Sequence, residues 1–163
     1  MGKRQNEFEH VVLPHAAALL RFARRQCGDA RDAEDLVQEA LLKAWRAFDR
    51  LPEVSSVRAW LFQVLLNTWY SEGRRRRARP VEVRVDVDAP VLSPFDDRAV
   101  VLQALSRLPD EQREVLLLVL VEGFTCRETA EILSKPVGTV MSRLSRARAA
   151  LRELGAVAEM ERK

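Results

Sequence analysis

Fifteen residues in the middle of the chain, Pro80 to Pro94 (PVEVRVDVDAPVLSP), decide what the rest can become. Three prolines stand in this stretch, and the 3.6-residue periodicity seen on both sides stops there. Proline removes a backbone donor and fixes φ, so no helix runs through it. Val81, Val83, Val85 and Val87 alternate with charged residues as a strand would, but one strand without a partner has little stability. The segment therefore reads as an extended, acidic tether, about 45 Å long at full stretch. The expected fold is all-α, with two small helical domains at residues 1–79 and 95–163 joined by an extended linker at 80–94.

On the N-terminal side, Asp29 to Phe48 gives the clearest helix. Ala33, Leu36, Val37, Ala40, Leu41, Ala44, Trp45 and Phe48 recur at i, i+3, i+4, i+7 and form a core stripe. The opposite face carries Asp35, Gln38, Glu39 and Leu42 at the same spacing, so three polar groups and one leucine share a second side. A solvated face is the default for such a pattern, and an exposed leucine among acids is a weak sign of docking. Leu13 to Cys27 reads as an earlier amphipathic helix closed by Gly28. A third helix is expected from Val57 towards Arg77, after the loop Asp49 to Ser56, where Ser55 or Ser56 can cap it. Its apolar face is Val57, Trp60, Leu61, Val64, Leu65 and Thr68; Arg58, Asn67, Tyr70 and Arg74 lie outside that face. Aromatic residues beside basic ones are able to stack on unpaired bases, but Trp60 reads better as core.

On the C-terminal side, Thr125 to Leu151 (TCRETAEILSKPVGTVMSRLSRARAAL) reads as two short helices joined by a tight turn, the second without an acid. Thr125 is placed to cap the first, and Pro136 presets the backbone for the second, which starts near Val137. Val140, Leu144, Ala147 and Leu151 recur at helical spacing, while Ser142, Arg143, Ser145, Arg146, Arg148 and Arg152 take much of the remaining surface. An apolar seam with an Arg/Ser outer face suits a major groove, because Arg reaches guanine edges or phosphates and Ser bonds to either. The C-terminal domain is thus a candidate helix-turn-helix. The bland reading is a basic, solvated face on a packing helix.

Charge is unevenly placed. Residues 1–80 hold 15 Lys/Arg against 10 Asp/Glu, whereas residues 95–163 hold 11 against 11, so the basic excess belongs to the N-terminal part. It ends in Arg74-Arg75-Arg76-Arg77-Ala78-Arg79, a cluster able to neutralise several phosphates. No apolar run approaches the roughly 20 residues that span a bilayer, and MGKRQNEFEH lacks the apolar core of a signal peptide. A cytoplasmic protein without stable membrane insertion is expected. Cys27 and Cys126 read as small buried hydrophobes, not as a disulfide. His10 and His15 point to different sides of a helix, and Asp29, Asp32, Glu34 and Asp35 look like first-turn acids, so no metal, cofactor or catalytic group is expected.

Three blocks, DAEDLVQEALLKAW (32–45), FDRLPEVSSVRAWLFQVLLN (48–67) and LPDEQREVLLLVLVEGFTCRETAEILSKPVGTVMSRLSRARAAL (108–151), together resemble a bacterial sigma factor of the extracytoplasmic-function group. The resemblance covers nearly the whole chain, with its motifs in the family's order. It implies an N-terminal domain that binds the RNA polymerase clamp and opens the minus-ten element. It also implies a C-terminal domain that reads the minus-thirty-five element as duplex, and an anti-sigma factor that holds the free protein inactive.

Position by position, the resemblance assigns Asp35, Gln38, Glu39 and Leu42 to the core polymerase. Asp49, Arg50, Leu51, Ser55, Ser56, Arg58, Asn67, Arg74, Arg75 and Arg76 are assigned to minus-ten DNA. Within this set, the loop at 49–56 matches the segment that holds an extruded base. Thr139, Met141, Ser142, Arg143, Ser145 and Arg146 are assigned to minus-thirty-five DNA. Met141 stands where the family commonly has Lys or Arg, so one contact is lost there or replaced by an apolar touch on a thymine methyl. The alternatives are a stand-alone helix-turn-helix regulator, for which the C-terminal half suffices, and a decoy that binds partners without transcribing. The DLVQE face argues against the first.

Overall fold

The computed structural model describes residues 2–50, 56–77 and 97–153. The linker at 80–94, the residues Leu51 and Ser55, and the tail after Glu153 lie outside the described residues, and so does the side chain of each of Arg75 and Arg76. The described part is made of helices joined by short turns: α1 (Gly2–Cys27), α2 (Ala30–Ala47) with a 3-10 turn at Phe48–Arg50, α3 (Val57–Arg77), α4 (Asp97–Ser106), α5 (Asp110–Leu116) continuing into a π-helical turn at Leu117–Val121, α6 (Cys126–Leu133) and α7 (Val137–Glu153).

Helix α1 begins eleven positions before the expected Leu13 and runs through Pro14. Proline there deprives the carbonyl of His10 of its donor, but His10, Leu13 and Pro14 all face solvent, where water serves the freed oxygen. The added turns are held by tertiary contacts. Phe8 meets the rings of Trp45 and Phe48 edge-on at 5.1 and 5.2 Å, and the Arg4 guanidinium lies 4.5 Å from the Trp45 centroid. Gly28 then ends α1 at φ 74°, a left-handed conformation that glycine adopts without a Cβ penalty, and its N–H donates to the Arg24 carbonyl. Asp29 caps α2 by accepting from the Asp32 N–H at 2.8 Å. Ser56 does the same for α3, accepting from the Ala59 N–H at 3.1 Å.

Helix α3 shows no one-sided apolar stripe, because it is packed on more than one side. Ala59, Trp60, Leu61, Phe62, Leu65 and Leu66 are all buried, facing α1 and α2 in one direction and α6 in the other. Phe62 is the joint: its ring meets Phe22 of α1 at 5.2 Å and Phe124, just before α6, at 5.4 Å, both edge-to-face. The N- and C-terminal halves therefore share one continuous core. Cys27 and Cys126 form no disulfide, and both pack against that core partly buried, as small apolar side chains at its edge.

Arg113 makes a second junction. Its buried guanidinium donates to the carbonyls of Leu105 (2.8 Å), Ser106 (3.3 Å) and Leu108 (2.8 Å) at the end of α4, and to the Gln26 carbonyl (2.8 Å) at the end of α1. Helix C-termini leave such carbonyls without intrahelical donors, and one planar cation satisfies several of them at once. Leu116, Leu117 and Leu118 are fully buried and Phe124 nearly so, so the first half of the apolar run 117–121 is core, while Leu120 and Val121 turn outwards.

Candidate functional site

Three groups of residues are candidates for function, and the structure gives each a different setting. On α2, Ala33, Leu36, Val37, Ala40 and Ala44 are buried, and the opposite side presents Asp35, Gln38 and Leu42 to solvent with Glu39 half-exposed beside Lys43. Leu42 is 51% exposed. The four residues named from the sequence thus form one surface, an apolar side chain within an acidic and amide patch.

The second group surrounds the start of α3. Asp49 and Arg50 are exposed in the 3-10 turn, and Asp49 pairs with Arg4 at 2.9 Å. Ser56 is spent on its cap. Arg58 is not free either: its Nη2 donates to the Glu122 carbonyl (2.7 Å) and carboxylate (2.9 Å), and its guanidinium stacks 4.3 Å from the Phe124 centroid. Further along α3, Asn67 and Arg74 are exposed. They line an open groove of about 670 Å³ with Trp69, Tyr70 and Ser71, faced across it by Asp110, Glu111, Lys135 and Arg143. Residues assigned to two different DNA elements, Asn67 and Arg74 on one side and Arg143 on the other, meet in this one groove.

The third group is the helix-turn-helix. Thr125 and Glu128 form a reciprocal capping box on α6, the Glu128 N–H donating to the Thr125 hydroxyl at 3.1 Å and the Thr125 N–H to the Glu128 carboxylate at 2.7 Å. Those hydrogen bonds hold the Glu128 carboxyl below its ordinary range. Ser134 ends α6 in the left-handed region at φ 51°, and the Pro136 carbonyl accepts the N–H groups of Thr139 and Val140 to open α7. Val140, Leu144, Ala147 and Leu151 are buried, as their spacing predicts. Met141, Ser142, Ser145 and Arg146 are exposed on the other side, Met141 at 58%, with Thr139 half-buried beside them.

Arg143 departs from that face. It turns back to α5, with Nη2 2.9 Å from Glu111 Oε2 and Nη1 3.9 Å from Glu114 Oε1. Glu114 is fully buried, and its other oxygen accepts from the Tyr70 hydroxyl of α3. Burial pushes the Glu114 carboxyl up to about 7 against the opposing pull of Tyr70 and Arg143. The same burial, with Glu114 alongside, drives the Tyr70 hydroxyl above its ordinary value. Sequence reasoning missed Glu114, Glu122, Arg113 and Arg4. A buried acid in an apolar run (Glu114 before Val115-Leu116-Leu117) was the available signal; the partners of the others lie too far along the chain to be read.

Among the described residues no group of His, Cys, Asp and Glu is arranged to hold a metal ion, and no helix is long and apolar enough to cross a membrane.

Comparison with known proteins decides the family. The Sigma-70 region 2 family matches residues 11–79, and the Sigma-70 region 4 family matches residues 98–151. The ECF RNA polymerase sigma factor EcfG of Rhodopseudomonas palustris is 38% identical over 149 residues, covering 88% of this chain and 82% of its own. The chain belongs to the ECF sigma factors of RNA polymerase. Another ECF sigma factor, SigL of Mycobacterium tuberculosis, is 39% identical over 146 residues, covering 85% of this sigma factor and 82% of SigL. Among solved structures, the sigma factor RpoE of Bartonella quintana, in complex with the anti-sigma factor NepR, superimposes with a TM-score of 0.73 at 35% identity, over 91% of this sigma factor and 96% of that chain. CnrH in complex with the cytosolic domain of CnrY gives 0.66 at 28% identity, over 95% and 89%. The all-α fold and the function of a transcription initiation factor follow from this membership.

Proposed function

We propose that this sigma factor divides promoter recognition between its halves, residues 1–79 and 95–163, with 80–94 as the tether. The α2 patch of Asp35, Gln38, Glu39 and Leu42 docks on core RNA polymerase. Asn67, Arg74 and the arginines that follow engage the minus-ten region together with the loop 49–56, which captures an extruded base. The exposed face of α7, with Met141, Ser142, Ser145 and Arg146, reads the minus-thirty-five duplex, and Thr139 approaches a phosphate near the helix start.

The observation that carries this reading is the outer face of α7. A helix whose buried seam is complete, and whose opposite side presents serines, an arginine and an apolar tip beyond a capped turn, is built to enter a major groove. The packed arrangement of the halves adds a condition. Arg58 is held by Glu122, and Asn67 and Arg74 face the C-terminal half across a shared groove, so engaging two promoter elements requires the halves to part. An anti-sigma factor is the natural control on that step, as the complexes of RpoE with NepR and CnrH with CnrY suggest by likeness. The protein acts in the cytoplasm and carries out no chemistry of its own; the polymerase supplies the reaction.

Footprinting of holoenzyme on fragments selected from a random pool tests the reading. Two protected blocks are expected, the upstream one lost in Ser142→Ala/Arg146→Ala and the downstream one weakened in Asn67→Ala/Arg74→Ala. Loss of both blocks together in each variant would contradict the division of labour.

A further inference from the structure

Two arginines a single turn apart on α7 have opposite surroundings. Arg146 is exposed on the outer face, whereas the Arg143 side chain is only 16% exposed and sits between Glu111 and Glu114 of α5. Glu114 is at zero exposure, and its Oε1 has no hydrogen-bond partner, so the cation at 3.9 Å is what offsets its charge on that side. Asp110 and Glu111 add further negative charge nearby. Swinging Arg143 out to a base edge would leave Glu114 either an unpaired buried carboxylate beside two other acids or forced to take up a proton, and either outcome is unfavourable.

We propose that Arg143 is a positioning residue of the recognition helix and not a reader of bases. It ties α7 to α5 through Glu111 and Glu114, and so fixes the rotation at which Met141, Ser142, Ser145 and Arg146 are presented to the groove. A change of rotation by one residue turns a helix by about 100°, so a tie at this point governs the whole face. The proposal rests on α7 being the groove-entering helix, as argued above.

The test uses the full chain with core polymerase and a duplex pool randomised across the upstream block, at a temperature where melting shows each variant folded. Two quantities are read: base preference at each position, and the slope of log affinity against log salt. Arg143→Ala is expected to weaken binding to all upstream sequences by a similar factor, about tenfold or more, with preference and salt slope unchanged. Arg143→Lys keeps the charge beside Glu111 and Glu114 without arginine's planar fork, and is expected to restore most of the affinity with the same preference. Loss of preference at one base pair in either variant would overturn the proposal, because that is the mark of a base reader. A salt slope smaller by about one would also overturn it, because that is the mark of a phosphate contact. Arg146→Ala is the control: it is expected to relax preference at one position. If Arg146→Ala and Ser142→Ala both leave preference and affinity intact, it is the assignment of α7 to the groove that fails, and the proposal falls with it.

Discussion

Arg58 near the start of α3 and Glu122 at the end of the π-helical turn, sixty-four positions apart, are joined twice: one Nη of Arg58 donates to the Glu122 carboxylate at 2.9 Å and to its backbone carbonyl at 2.7 Å. The Glu122 side chain is 7% exposed and the arginine about one-third exposed, with Phe124 stacked against the guanidinium. Fully exposed pairs contribute little, and breaking fully buried ones is severe. This pair lies between, so Arg58→Ala is expected to lower the unfolding free energy of the whole chain by about 2 kcal/mol. A urea midpoint that does not move would show that the halves do not depend on this contact.

Phe62 carries the hydrophobic part of the same junction. With no exposure and edge-to-face neighbours in Phe22 and Phe124, its truncation removes transfer free energy and leaves a cavity between the halves. Phe62→Ala is expected to destabilise by about 3–4 kcal/mol and Phe62→Leu by much less. Equal urea midpoints for the two variants would contradict the role given to the ring.

Stability should also carry a pH signature from Glu114. Its carboxyl is raised in the folded protein to about 7, from an ordinary value of 4.5, chiefly by burial. A carboxyl raised on folding binds its proton more tightly in the native state, so its contribution is fully present below the unfolded value and is lost as pH rises through about 7. Wild type minus Glu114→Gln, compared by denaturation between pH 5 and pH 8, is expected to fall across that interval. A flat difference would contradict the burial assigned to this carboxylate.

The helix-turn-helix offers a pair of opposite effects. Thr125→Ala removes the hydroxyl that accepts the Glu128 N–H, and is expected to cost about 1 kcal/mol. Ser134→Gly relieves a left-handed backbone at φ 51° and is expected to stabilise by about 0.5–1 kcal/mol. Thermal melting of the two variants should move in opposite directions; a shift of the same sign would mean that one of these local geometries is not realised in solution.

What the sequence made legible was local. The Gly28 stop, the Ser56 and Thr125 caps, the bounds of α3 and the buried seam of α7 rest on short-range patterns in the chain, and all are found, whereas Asp29, read as a first-turn acid, is the cap of α2. The extension of α1 to Gly2 was not legible, because Pro14 looks like a barrier until Phe8 and Arg4 are seen against Trp45 and Phe48. Arg58 and Arg143 show the same limit in the candidate site. Basic residues on amphipathic helices read as DNA contacts, and the carboxylates that hold them, Glu122 and Glu111 with Glu114, become visible only when distant elements are packed together.

The α2 surface is proposed to deliver this sigma factor to polymerase. Transcription in vitro with purified core polymerase on a library of promoter fragments, comparing wild type with Asp35→Arg/Glu39→Arg, tests it most directly. Both positions face solvent or nearly so, and the fold should tolerate the change. Specific transcripts from the wild type that disappear in the double variant, with its melting temperature preserved, are the predicted result. Transcripts at equal levels from both, or none from either, would contradict the account.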